Sequence, residues 1–320
     1  MKMISGYIRD WLDVIEMMNN ENTYKLAWGR AILETISDKD EIDDLLIDYD
    51  EIAEKVIKYY WNQLYFFNLT QGGNRKPYVE QIVRNMIDMF QTETNDKIPV
   101  WYEKAEKHFK ADEKKYKRIL NDVSTVLNRD VCWRFMNVGG KSVPLYILDR
   151  DNKTVFFTKN EVKELKEYRY VLSQLLNYRW AQLLEQFNSA PRIANKVKGL
   201  SANKVRRNNL KKYKDILLAY YHFDPVDFYT GEVMEESDVS VDHVIPWSFM
   251  YSDDIWNLVL TSKSNNSKKS NTTPTIEDIE RLKKRNENLM KQLEEGNLRQ
   301  ELSEAIRNSY VDKFYNSLRL

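Results

Sequence analysis

The stretch VSVDHVIPWSFMYSDDIWNLVLTSKSNNSKKSNTTP, from Val239 to Pro274, decides how this chain is read. Val239, Val241, Val244 and Ile245 are strand formers, and Pro246 closes the run. Side chains alternate along a strand, so Asp242 and His243 reach one site only if the strand ends beside them, and the sequence predicts that it does. Trp256 to Leu260 is a second apolar run with one amide, Asn257, inside it. A buried amide without partners costs about 1–3 kcal/mol, so Asn257 is expected to pin the loop that carries His243. Asn266 follows a polar segment at a predicted helix start. The order is strand, loop, strand, helix.

The polar groups point to a chemistry. The carboxylate of Asp242 and the amide oxygen of Asn266 suit Mg²⁺ or Mn²⁺, which take oxygen ligands and keep several waters. A histidine beside such a metal, here His243, can take the proton from an attacking water, while the metal stabilises charge on a phosphate. Lys263, Lys268 and Lys269 add positive charge for a phosphodiester backbone. These parts imply metal-assisted hydrolysis of nucleic acid. A lone Asp-His pair is usually a surface or satisfied core pair; the reading rests on its agreement in order with Asn257 and Asn266-x-x-Lys269.

The stretch resembles the HNH, or ββα-metal, endonuclease motif, in particular the HNH nuclease domain of the RNA-guided CRISPR effector. The matching residues are Asp242-His243-x-x-Pro246-x-Ser248-Phe249, Asp253-Asp254, Asn257, Val259-Leu260-Thr261 and Asn266-x-x-Lys269-Ser270. The resemblance implies His243 as general base, Asp242 and Asn266 as metal ligands, and Asn257 as the structural middle residue; Lys269 is read from its charge as the residue over which the phosphodiester passes. Two departures stand out. Asn266 replaces the last histidine, giving an H-N-N version. The Cys-x-x-Cys pairs that hold a structural zinc in many relatives are replaced by Asp227 with Thr230 and by Ser262 with Asn265. No structural zinc is expected, and packing is expected to replace it.

Composition bounds the rest. The chain has 320 residues, with Lys+Arg and Asp+Glu both 49, so bulk charge says nothing about nucleic acid and any footprint must be local. The one asymmetry is the acid-free segment from Arg192 to Lys214, which contains Arg192, Lys196, Lys204, Arg206, Arg207 and Lys211. Such blocks are usually solvated faces. Directly before the motif, this one is read, with Lys268 and Lys269, as a track for the phosphate backbone. The single cysteine, Cys132, excludes an internal disulfide and a cysteine zinc cage. With no predicted signal peptide or membrane span, this suggests the cytoplasm.

Upstream, apolar periodicity predicts helices over 5–18, 24–36, the region after Asp50, 78–91 and 104–128. Thr23 and Asp50 are the predicted caps. Tyr59 to Phe67 reads as a buried helix end, with a base-stacking platform as the alternative. Gln71 to Pro77 is a loop whose glycines and cations suit phosphate, although a plain connector is the simpler reading. Val131–Met136, Val143–Leu148 and Thr154–Thr158 are predicted strands of an antiparallel meander, followed by a long helix to Phe187. The expected class is α+β: a mainly helical region at 1–188 for sensing, docking or DNA positioning, a basic linker and helix at 189–221, the nuclease unit at 222–275, and helices at 276–320. DNA is the expected partner, with RNA, a homodimer and a separate motor or sensor protein left open. Restriction or anti-phage defence follows by analogy alone. The rival reading is a fold that binds nucleic acid without cutting it, or a partner-gated effector.

Overall fold

The computed structural model describes residues 4–40, 42–73, 75–188, 190, 192–197 and 209–319. In α1 (Gly6–Met17) the Ser5 hydroxyl accepts from the Ile8 amide, and Ile8, Trp11, Val14 and Ile15 recur on the buried face. Thr23 makes no capping bond to α2 (Tyr24–Asp38); its hydroxyl instead joins Tyr60 and Gln71 in a buried network. A short strand, β1 (Leu45–Asp48), emerges from the acidic stretch and leads into α3 (Tyr49–Phe67). The cap of α3 is Asp48, in a reciprocal box with Glu51, rather than Asp50. Tyr59, Tyr60, Trp61, Phe66 and Phe67 of α3 are all buried, so this aromatic run is core and not a stacking platform. Around α3 pack α4 (Tyr78–Thr94) and the pair α5 (Tyr102–Lys110) and α6 (Glu113–Asp130), which divide the single predicted helix.

The expected meander is corrected. Residues 131–136 form a turn, not a strand, and Val131, Cys132, Phe135 and Met136 are apolar because that turn is buried. A small hairpin, β2 (Asn137–Val138) with β3 (Lys141–Ser142), turns through Gly139 and Gly140, whose φ values of 57° and 81° favour glycine. β4 (Ile147–Asp149) and β5 (Thr154–Phe157) form a separate three-stranded antiparallel sheet in the order β1-β5-β4, with Ile47 opposite Val155. Its third strand comes from far upstream. The long helix α7 (Lys159–Phe187), capped by Thr158 and Glu161, packs on α1 and α2. The architecture is thus mixed, mainly helical with small antiparallel sheets. Among the described residues, no helix is long and apolar enough to cross a membrane.

After α8 (Ile193–Val197) and α9 (Lys211–Tyr220) come a 3-10 turn at Glu236–Asp238, β6 (Val239–His243), α10 (Trp247–Met250), a second 3-10 turn at Ile255–Asn257, β7 (Leu258–Ser262) and α11 (Lys263–Lys269). The C-terminal helices are α12 (Ile276–Gln292), α13 (Asn297–Arg307) and α14 (Tyr310–Arg319). Ser309, at φ 52°, separates the last two. These helices brace the turn before β7. Arg285 and Asn286 donate to the carbonyl of Trp256, and Phe314 stacks on the Trp256 ring at 5.8 Å. On the other side, Tyr251 after α10 meets Phe67 of α3 at 5.5 Å.

Candidate active site

β6 and β7 pair antiparallel, with Asp242 opposite Val259 and His243 opposite Leu258. The Ser262 hydroxyl caps α11 by accepting from the Asn265 amide, so the helix begins where β7 ends. This places Asn266 and Lys269 of α11 against β6. Asn266 Nδ2 donates to Ser240 Oγ at 2.8 Å and to the Val241 carbonyl at 3.3 Å. A carbonyl can only accept, which fixes Nδ2 toward the strand and turns the amide oxygen the other way. Lys269 Nζ reaches the His243 carbonyl at 2.8 Å and Asp242 Oδ2 at 3.1 Å. Asp242, His243, Asn266 and Lys269 therefore meet at the end of one strand.

Asn257 is 1% exposed and holds the loop after His243 from both sides. Its Nδ2 donates to the Ile245 carbonyl and its Oδ1 accepts from the Ile245 amide, each at 2.8 Å. Its own carbonyl accepts from Val244 at 3.0 Å. A two-sided amide clamp explains why an asparagine sits inside an apolar run.

Two partners were not singled out from sequence. His243 Nε2 lies 3.0 Å from Asp253 Oδ1, with both side chains largely buried. A carboxylate acceptor there favours the tautomer with the proton on Nε2, leaving Nδ1 as the basic nitrogen. The Tyr229 hydroxyl donates to Asp242 Oδ2 at 2.7 Å. Burial and the Asp242 charge push the Tyr229 phenol well above its ordinary range, so it stays a donor. Asp253 stood in the matching motif without a role; nothing local marks Tyr229, which is brought in by the fold.

Asp227, noted in the sequence only for standing in place of a cysteine, acts as a multiple acceptor. Its Oδ1 accepts from the amides of Tyr229 (2.8 Å) and Thr230 (3.2 Å). Its Oδ2 accepts from Thr261 Oγ1 (2.9 Å), the Ser262 amide (2.8 Å) and Asn265 Nδ2 (2.9 Å). Burial alone would raise its pKa, but the bonds from Ser262, Asn265, Tyr229 and Thr261 outweigh that and hold it at about 2. Asp227, Thr230, Ser262 and Asn265 are thus joined through one carboxylate. Hydrogen bonds to Asp227 join this knuckle to β7 and α11.

The proposed phosphate track divides. Arg192, Lys211 and Lys268 are exposed. Lys196 is corrected: it is 1% exposed, with its amino group 4.6 Å from the Phe249 ring centre and 5.5 Å from that of Phe67. Burial and the neighbouring Arg192 charge push its pKa well below the usual lysine range. A phosphate backbone does not reach it there. Lys204, Arg206 and Arg207 lie outside the described residues. Lys214 is an anchor, donating to the Val239 carbonyl of β6 at 3.0 Å.

The donor set fits a hard divalent cation in part. Among the described residues no cluster of three or more His, Cys, Asp or Glu side chains is poised to hold a metal. One carboxylate and one amide oxygen remain, which is enough for Mg²⁺ retaining water and binding a phosphate. Both protein contacts of Asp242 fall on Oδ2; among the described residues Oδ1 has no hydrogen-bond partner.

Residues 227–275 match the family model for HNH endonuclease. The CRISPR-associated endonuclease Cas9 of Listeria innocua serovar 6a is 34% identical over 84 residues, covering 25% of this chain and 6% of that protein. The chain therefore spans only a small part of that relative's length. No solved structure matches.

Proposed function

We propose that this chain is a metal-dependent endonuclease that hydrolyses phosphodiester bonds of DNA, with β6, β7 and α11 as its ββα-metal unit. The observation that carries the reading is the meeting of Asp242, His243, Asn266 and Lys269 at the end of β6, with Asn257 clamping the loop behind them. Asp242 Oδ1 and the Asn266 amide oxygen would hold Mg²⁺ or Mn²⁺, which when bound supplies charge stabilisation at the scissile phosphate. His243, oriented by Asp253, takes the proton of the attacking water on Nδ1. Lys269 offsets the charge of Asp242 and faces the phosphate. Tyr229 orients Asp242. Lys211, Lys268 and Arg192 track the backbone.

Residues 1–188 form the part that positions or senses the nucleic acid, and 276–320 brace the nuclease unit. The chain acts in the cytoplasm, and restriction or anti-phage defence is the role assigned by analogy. One observation favours a gated form of the enzyme: Asp242 and His243 are 8% and 7% exposed, and Lys269 is paired with Asp242. A partner protein, a second copy or the nucleic acid itself would open the site.

The test is strand cleavage of a labelled duplex with Mg²⁺ or Mn²⁺ in wild type, Asp242→Asn and Asn266→Ala. Ends carrying 5′-phosphate and 3′-hydroxyl, lost in both variants, support the assignment. Equal cleavage by either variant removes that residue from the metal site.

A further inference from the structure

We propose that the N-terminal body carries a second site that binds a nucleotide unit, in the cleft between the α1–α2 turn, residues 75–78 and the end of α6. The cleft is a cavity of about 810 Å³. Four cations line it, Lys25, Arg75, Lys76 and Arg134, together with the rings of Tyr78 and Trp133. Two large aromatic rings beside four cations are the pairing that a base and its phosphate require.

The charge is not neutralised within the protein. Arg75, Lys76 and Arg134 are exposed and make no ion pair among the described residues. Of the two acids lining the cleft, Asp130 is held by Arg129 at 2.6 and 3.0 Å, which leaves Glu21. Burial and the Arg134 charge push the Lys25 ammonium below its ordinary range, a crowding that an anion would relieve. Lys25 is fixed by the carbonyl of Asn19.

The rings are presented rather than buried. Trp133 is 38% and Tyr78 49% exposed. The Trp133 indole nitrogen donates to the Arg129 carbonyl at 3.1 Å, which sets the ring, and the Arg134 guanidinium lies 4.9 Å from its centre. The backbone beneath is tied by hydrogen bonds. Thr23 donates to the Gln71 carbonyl at 3.0 Å, and the Tyr24 hydroxyl accepts from the Val79 amide at 2.9 Å. Gly72 packs so closely on Pro77 that an added Cβ would lie 2.8 Å from its ring. The glycine-containing loop holds two cations at the cleft. Asn188 binds both the amide and the carbonyl of Thr70, so the end of α7 is tied to the same loop.

The nucleotide can come from a strand that also reaches the nuclease unit, or from a free mononucleotide. Binding is measured on the full chain in EDTA, so the result does not depend on cleavage or on the nuclease reading. One arm titrates dAMP by calorimetry. The other photo-crosslinks a short single strand carrying 5-iodouracil and maps the modified peptide. Heat with dAMP that Arg75→Glu/Lys76→Glu abolishes supports the site and identifies a free nucleotide. Crosslinks at Tyr78 or Trp133, lost in the same double variant and in Trp133→Ala while those near Lys268 persist, support it and identify a strand. In that case the slope of log affinity against log salt falls by about 1.4 in the double variant, two phosphate contacts at about 0.7 each. No dAMP heat and no crosslink in residues 75–78 or 130–137, or signals indifferent to charge reversal, overturn the proposal.

Discussion

Asp227→Ala removes the acceptor of five hydrogen bonds at once. Thr230 is exposed and can turn to water, but Thr261 is fully buried and the Tyr229 and Ser262 amides are half-buried. At about 1–1.5 kcal/mol for each of those three donors left without a partner, the loss is about 3–4 kcal/mol. It falls locally, because the bonds join the 227–230 turn to β7 and the start of α11. Amide hydrogen exchange is the direct assay. A local opening made easier by about 3 kcal/mol speeds exchange across residues 258–266 by about 150-fold, with α1–α3 unchanged. Cleavage falls as well, because α11 carries Asn266 and Lys269. The pH dependence has a definite sign. The folded carboxyl titrates at about 2 against an ordinary 3.8, so its stabilisation is fully present above the ordinary value and lost as pH falls through about 2. Wild type should show this acid-induced loosening at β7, and Asp227→Ala should lack it. Exchange in 258–266 unchanged by Asp227→Ala would refute the idea that this carboxylate holds the knuckle.

Other expectations follow from single contacts. Asn257→Ala leaves the Ile245 amide and carbonyl without partners; it should lower stability by about 2–4 kcal/mol and lower cleavage further, read by melting and by turnover of the folded fraction. Asp253→Asn keeps the shape but can donate to His243 Nε2, favouring the tautomer with the proton on Nδ1; cleavage should fall about 10²–10⁴-fold with DNA affinity intact, read by single-turnover kinetics against binding. Lys268→Ala should reduce the salt slope of duplex binding by about 0.9, whereas Lys196→Met, inside the protein, should leave that slope unchanged; fluorescence anisotropy across a salt series separates the two.

Much of the candidate site was legible because its residues lie within one short stretch. Asp242, His243, Asn257, Asn266 and Lys269 need only a strand pair and one helical turn to meet. Asp227, Tyr229 and Asp253 escaped because their roles depend on contacts between separated segments, which spacing does not reveal. Lys196 was misread for a related reason: a run of cations shows charge but not which member the fold turns inward. In the N-terminal body the helices followed from apolar periodicity, and α7 ends at Phe187 as the pattern predicts. The sheet did not follow. Leu45 and Ile47 alternate in β1 but are masked by the surrounding acids, while Val131 to Met136 reads as a strand because a buried turn and a buried strand are equally apolar.

The most direct test of the account is nicking of supercoiled plasmid by the full chain, comparing wild type with His243→Ala in Mg²⁺, Mn²⁺ and EDTA. Nicking that requires the metal and is lost in His243→Ala is the predicted result. Nicking that persists in EDTA or in His243→Ala would contradict the assignment of His243 as the base of a metal-dependent nuclease.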